Sequence, residues 1–205
     1  MLNTIIAIIV SYLLGSISFS ILAARWLKKI DIRDHGSGNA GATNTLRVLG
    51  KGPAIGVFLL DIAKGSAGVL LGMWLGEGNA AVEVACGLAA IAGHNWPIYF
   101  RFKGGKGIAT TIGALVVWAF LPTLVAGIVA ILVIALTRYV SLGSMIFAAL
   151  LPLLVFLFDK DPAFLWGALV VAVLAIFRHR KNIVKLINGT ENKLGGGKKG
   201  EPHGA

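Results

Sequence analysis

Seven apolar segments fill this chain almost end to end, and nearly all of its Lys and Arg fall in the gaps that would share one side of a membrane. The segments are residues 2–24, 53–75, 80–98, 108–121, 122–136, 142–158 and 163–177. A helix needs about 20 residues to cross the hydrocarbon of a bilayer. The last four segments fall short of that, so the fourth reads as tilted or partly re-entrant. Six spans with a non-crossing fourth segment is the main alternative. Only 14% of the 205 residues are charged and 57% are hydrophobic, against about 25% charged in a soluble domain. A water-soluble fold fits this composition poorly, and the length suits one bundle rather than several domains.

Charge placement sets the orientation. With seven spans and the N-terminus outside, the inner gaps hold Arg25, Lys28, Lys29, Arg33, Arg47 and Lys51, then Arg101, Lys103 and Lys106, then Arg138, then the cations from Arg178 to Lys199. Lys160 alone faces outward, among Glu77, Asp159 and Asp161. This follows the positive-inside rule; six spans would put Arg138 or the basic tail outside. The expected fold class is all-α: a polytopic membrane helix bundle of about seven transmembrane helices, N-terminus outside and C-terminus cytoplasmic. The N-terminus lacks a basic leader and reads as a first span, not a removed signal peptide. Residues 1–194 form one integral membrane domain; 195–205, rich in Gly and Lys with nothing to bury, read as a disordered tail. The formal charge of +10 borders apolar spans, so anionic headgroups and anionic substrates are its partners rather than nucleic acid. Cys86 is the one cysteine, and it reads as a packing residue in an apolar run.

Three polar clusters lie on the inner side. The first runs from Gly36 to Arg47 and contains Ser37, Gly38, Asn39, Gly41, Thr43 and Asn44. Glycines let backbone N–H groups approach and nest an anion. Ser37, Thr43 and Asn44 add side-chain donors, and Arg47 offers a two-pronged phosphate grip. The second runs from Gly93 to Gly107, with His94 and Asn95 closing the third span and Lys103, Gly104, Gly105, Lys106 and Gly107 in the loop. It lacks the P-loop spacing, and no strand precedes it. Thr110 and Thr111 open the next helix, whose N-terminal dipole favours the same anion. Simple anchoring of Lys103 and Lys106 to anionic lipid is the bland reading.

The third cluster runs from Arg178 to Glu191. On a continuing helix His179 and Asn182 share a face, and His179 suits a base or hydrogen-bond partner for a hydroxyl. Arg178, Arg180, Lys181 and Lys185 read as a juxtamembrane patch facing anionic lipid. Asp61 and Lys64, three apart inside the second span, read as an internal ion pair supporting the bundle, because charges within a span are costly unless paired. His35 sits next to a charged loop and His203 in the tail, so His94 and His179 are the ring bases of interest. There is no Cys/His spacing for zinc and no G-x-S-x-G elbow; neither a metal nor a cofactor is expected.

Taken in order, these motifs resemble those of the bacterial acyl-phosphate:glycerol-3-phosphate acyltransferase family, integral membrane enzymes of phospholipid biosynthesis. The signatures are Ser37-Gly-Asn-x-Gly-Ala-Thr-Asn-x-x-Arg47, Gly93-His-Asn-x-Pro with Phe102-Lys-Gly-Gly-Lys-Gly107, and His179-Arg-x-Asn182 with Gly189-Thr-Glu191. The match runs to about Glu191 and omits the Lys-rich tail. The resemblance implies seven helices in the bacterial cytoplasmic (inner) membrane, with the motifs facing the cytoplasm. It implies transfer of a fatty acyl group from acyl-phosphate to the 1-hydroxyl of glycerol 3-phosphate, giving 1-acylglycerol 3-phosphate (lysophosphatidic acid) and phosphate. Ser37, Arg47, Lys106, His179 and Asn182 match the family's important polar positions. The remaining glycines, Asn39, Asn44, Lys103 and the threonines fall to phosphate binding, and Asp61, Lys64, His94, Asn95 and Glu191 to support. The protein is expected to act as a monomer among membrane lipids. Without the resemblance, the charge map reads as a membrane enzyme or transporter of a phosphorylated substrate; a small transporter or channel is the chief rival and a structural lipid-binding protein the third option.

Overall fold

The computed structural model of the chain describes residues 1–158 and 161–195. Those residues form ten α-helices and two short 3₁₀ turns, with no strand among them. Asp159 and Lys160, and the expected disordered tail beyond Gly195, lie outside the described residues.

The first apolar segment is one unit of 27 residues, Leu2–Lys28, but it is broken into α1 (Leu2–Gly15) and α2 (Phe19–Lys28). After α3 (Ala42–Leu49), α4 (Lys51–Leu75) runs unbroken for 25 residues, about 37 Å at 1.5 Å per residue. Then come α5 (Ala80–Asn95), α6 (Ile108–Trp118), α7 (Phe120–Thr137), α8 (Val140–Phe158), α9 (Pro162–Arg178) and α10 (Arg180–Ile187). Four stretches are long and apolar enough to cross a membrane: Leu2–Lys28, α4, α7 and α8. The pair α9 and α10, bent by 56°, makes a fifth if taken together.

Segment edges differ from the sequence reading where capping and proline decide them. The third segment stops at Asn95 and not at residue 98, because Trp96 leaves the helical region ahead of Pro97, where a residue before proline disfavours helix. The fourth and fifth divide at Ala119, so Pro122 lies in the first turn of α7, where its missing N–H costs nothing. Asn79 and Asp161 cap α5 and α9 by accepting from Ala81 N and Ala163 N, as N-cap side chains do.

Glycine sets how tightly the helices pack. A Cβ on Gly113 would overlap the Ile62 carbonyl, and one on Gly65 the Thr110 carbonyl. The backbones of α4 and α6 therefore touch, as small residues allow between membrane helices. One core of buried residues joins Val69, Ile91, Leu115, Phe147, Leu151 and Val171 from α4, α5, α6, α8 and α9. A second, smaller core of Ile21, Ala24, Ile32, Ala40 and Phe100 lies beneath the loops that follow α2 and α5. That second core holds the two glycine-rich loops against each other.

Candidate active site

The loop between α2 and α3 is shaped by one side chain. Asn44, fully buried, donates from Nδ2 to the carbonyls of Ile32 (3.1 Å) and His35 (3.0 Å). Its Oδ1 accepts from Ser37 N at 2.8 Å. The amide is committed to the turn, so Asn44 organises the loop instead of offering a donor to an anion. Gly36 and Gly38 take φ of +63° and +72° there, a region that only glycine enters freely. Ser37, Gly38, Asn39, Gly41, Thr43 and Arg47 then line a cavity of about 530 Å³.

Arginines hold the second loop from both sides. Arg33 is paired with Asp31 at 2.6 Å and donates to the carbonyls of Phe100 (2.9 Å) and Lys103 (3.3 Å). Its hydrogen bond to Asp31 holds that carboxyl down at about 2. From the other side Arg178 donates through Nε to the Gly105 carbonyl at 3.1 Å and lies 5.3 Å from the Trp96 ring centroid. Arg178 is thus turned inward and not toward lipid as its basic neighbourhood suggested. No local pattern marks either arginine for this task, because both targets are carbonyls more than 60 residues away.

Lys106 reaches across this cradle to α10. Its Nζ donates to Asn182 Oδ1 at 2.5 Å. Asn182 Nδ2 donates in turn to Glu191 Oε1 at 2.7 Å, which also accepts from Ser141 Oγ at 2.7 Å. Burial pushes the Lys106 ammonium down to about 8, aided by Arg47, Arg178 and Lys185 and opposed by Glu191. His179 sits at the bend between α9 and α10. Its Nδ1 donates to the Ala175 carbonyl at 2.8 Å, which leaves Nε2 as an acceptor. Burial, and then the Lys106 charge, push this ring down to about 4, so it is neutral near pH 7.

The remaining expected residues divide by position. Gly104, Lys106, Gly107, His94, Asp61, His179, Asn182 and Glu191 line the cavity with the first loop. Gly105 is buried just behind it, and Asn95 packs against Gly107, whose φ is +82°. Lys64 is paired with Asp61 at 2.7 Å and does not reach the cavity. Lys103 is exposed and outside the lining. Thr110 and Thr111 are buried outside the lining as well, with the Thr110 backbone in the α4–α6 contact. The start of α6 still meets the cavity through Gly107, Ile108 and Ala109.

Two chemistries therefore meet in one space. At one end six cationic residues, Arg47, Lys106, Arg178, Arg180, Lys181 and Lys185, line the cavity with two carboxylates, Asp61 and Glu191, although the Arg178 and Arg180 guanidiniums also donate to the Gly105 and Phe177 carbonyls. That surplus suits phosphate dianions. Arg47 makes no hydrogen bond or ion pair to protein among the described residues, so its guanidinium is available. At the other end the wall is apolar: Phe58 of α4, Ile108 and Ile112 of α6, Gly127, Ala130 and Ile131 of α7, and Phe147 of α8. Phe58 is 39% and Ile131 67% exposed, so this end opens on the outer surface of the bundle between α4 and α7. An anion pit joined to a laterally open apolar groove fits a molecule with a phosphate head and a hydrocarbon chain.

The glycerol-3-phosphate acyltransferase family model matches residues 5–189. A glycerol-3-phosphate acyltransferase of Shouchella clausii is 56% identical over 198 residues, covering 94% of this chain and 97% of that one. One from Thermoanaerobacter pseudethanolicus is 46% identical over 191 residues, covering 93% and 96%. Among solved structures, the integral membrane glycerol 3-phosphate acyltransferase PlsY superposes in its glycerol 3-phosphate form with a TM-score of 0.89 at 38% identity, covering 94% and 96% of the two chains. Its lysophosphatidic acid form gives 0.86 at 37% identity, covering 94% and 95%.

Proposed function

This chain belongs to the glycerol-3-phosphate acyltransferase family, and from that premise we propose that it transfers a fatty acyl group from acyl-phosphate to the 1-hydroxyl of glycerol 3-phosphate. The products are lysophosphatidic acid and inorganic phosphate. The protein works as a monomer in the bacterial inner membrane, with residues 1–194 as its single domain. Seven segments cross or enter the bilayer, the N-terminus lies outside, and the cavity faces the cytoplasm.

The observation that carries this reading is the single cavity with two chemistries. Two phosphate-bearing substrates need more than one cation, and six cationic residues line the pit against two carboxylates. One substrate also carries a hydrocarbon chain, and the groove past Phe58 and Ile131 gives that chain a path to lipid. The solved relatives are described in glycerol 3-phosphate and lysophosphatidic acid forms, which are the acceptor and product of this reaction.

Acyl-phosphate is a mixed anhydride with a good leaving group, so no protein nucleophile is required. The glycerol hydroxyl oxygen attacks the acyl carbon, and the bond from that carbon to the phosphate oxygen breaks. The departing phosphate takes the hydroxyl proton, since its released oxygen is more basic than it was in the anhydride. Arg47 and the Ser37 loop hold one phosphate. Lys106 holds the other or offsets charge as it builds in the transition state. Before attack His179 Nε2 accepts from the hydroxyl and aligns it; as the new bond forms the ring passes that proton on to the departing phosphate, because a ring depressed to about 4 is too weak a base to keep it. Asn182 orients Lys106 through the 2.5 Å contact.

Purified protein tests this directly. Acyl-phosphate, acyl-CoA and acyl carrier protein thioesters are each supplied with glycerol 3-phosphate. Lysophosphatidic acid is expected from acyl-phosphate alone, with phosphate released only when the acceptor is present. Turnover of either thioester at a comparable rate would reject the donor assignment.

A further inference from the structure

Three ionisable side chains, Asp61 and His94 at the inner edge of the cavity and Lys64 behind them, take no step in the mechanism. Asp61 is 1%, Lys64 6% and His94 6% exposed. Lys64 Nζ lies 2.7 Å from Asp61 Oδ1 and donates to the Ile17 carbonyl at 2.7 Å, in the break between α1 and α2. His94 Nδ1 lies 3.4 Å from the same Asp61 oxygen. Removing such charges from water costs several kcal/mol per ion, and a pair of apolar residues would pack there without that cost. Something other than stability has to account for them.

The contacts of His94 supply it. Its carbonyl accepts from Gly105 N at 3.1 Å, and its ring lies so close to Gly105 that a Cβ there would overlap Nε2. The same Cβ would sit 2.5 Å from the Ala40 carbonyl of the first loop. The Gly105 carbonyl is held by Arg178. Gly105 is therefore the point at which α5, the first loop and the end of α9 meet, immediately before Lys106.

We infer that Lys64, Asp61 and His94 are positioning residues: a buried clamp running from the α1–α2 break to Gly105, which sets where the phosphate-holding backbone and Lys106 stand. Asp61 stands 3.4 Å from His94 Nδ1 and borders one edge of the ring, and the other edge packs on Gly105. The inference deepens the function proposed above and rests on its placing a phosphate at this loop. The clamp sets the geometry of the groups around the substrates, where a misplacement of about an ångström costs up to about a hundredfold in rate.

The test separates clamp from scaffold with full-length protein in detergent. The double variant Asp61→Leu/Lys64→Leu removes both charges at similar volume, an exchange that is often neutral or stabilising for a buried pair. His94→Leu removes both ring nitrogens, whereas His94→Asn keeps a donor near the Nδ1 position. Dissociation constants for inorganic phosphate and glycerol 3-phosphate are measured from ligand-induced shifts in Tm, and KM and kcat from turnover. The double variant and His94→Leu are expected to melt close to the parent yet bind phosphate at least about tenfold more weakly, the size of one lost hydrogen bond to a charged group, with His94→Asn recovering most of that loss. Unchanged phosphate binding in either folded variant overturns the inference, as does a His94→Asn no better than His94→Leu. Failure of both leucine variants to fold also overturns it, because the cluster then holds the bundle and not the loop. Phosphate binding needs no acyl transfer. A parent that binds phosphate without turning over acyl-phosphate would sink the proposed function alone.

Discussion

The two glycine-rich loops that face each other across the cavity are held in opposite ways. The loop from Gly36 to Arg47 is largely self-supporting: Asn44 gathers the Ile32 and His35 carbonyls and the Ser37 N–H within a dozen residues. The loop from Lys103 to Gly107 has no such internal organiser. Its carbonyls go to Arg33 and Arg178, its glycine packs on His94, and its lysine reaches Asn182. A cavity built this way joins a rigid, locally determined half to a half whose shape depends on the whole bundle. Damage to the first loop's organiser, Asn44, should appear as lost stability, and damage to supports of the second as lost catalysis.

The largest effect tests the second loop at its tip. Lys106→Ala is expected to lower kcat/KM by about 10²–10³-fold, the range for losing one donor to developing charge. Tm should hardly change, and equal turnover in mutant and parent would remove Lys106 from the site. Next is Arg178→Met, which frees the Gly105 carbonyl without touching a first-loop residue. A fall of about tenfold to a hundredfold in kcat/KM is expected, with wild-type protein levels in the membrane. If Arg178→Met costs only stability, the contrast between the loops collapses.

The pH profile sharpens the same point. A phosphate monoester becomes a dianion above about pH 6, and free Lys106 loses its proton near pH 8. Charge complementarity is greatest between those values and is lost as pH rises further. KM for the substrate held by Lys106 should climb toward tenfold per pH unit above about 8. Lys106→Arg, charged throughout this range, should flatten that limb even if its kcat is low.

For the first loop, Asn44→Ala strips three hydrogen bonds from a buried turn. The expected cost is about 2–4 kcal/mol of stability, read as a lower Tm, with kcat/KM falling only a few-fold in the fraction that stays folded. The smallest effect belongs to Lys103, which is exposed outside the cavity. Lys103→Ala should stay within about twofold of the parent, the size expected of a surface charge. A larger loss would show that the cavity closes over it when substrates bind.

Much of this was legible in the chain itself. The apolar segments foretell the helices, and clustered Gly, Asn and Arg or Lys foretell the anion pit. The misplacements have physical causes. Asn44 looked like a phosphate donor because nothing local says whether an amide serves a ligand or its own backbone. Arg178 looked like a lipid anchor because it sits among Arg180, Lys181 and Lys185, and its partner carbonyl is 73 residues away. Thr110 and Thr111 opened a helix aimed at the cavity, but helix phase turned both inward.

By itself, then, the order of residues determined the helical class, the membrane setting and the types of group at the cavity, because hydropathy, charge and glycine content act over short stretches of chain. Only the tertiary structure decided which groups face the cavity and which brace it. A side chain's role there depends on the carbonyls and charges brought beside it by helices packed from far along the sequence, and Gly105, held between His94, Ala40 and Arg178, is where that dependence is greatest.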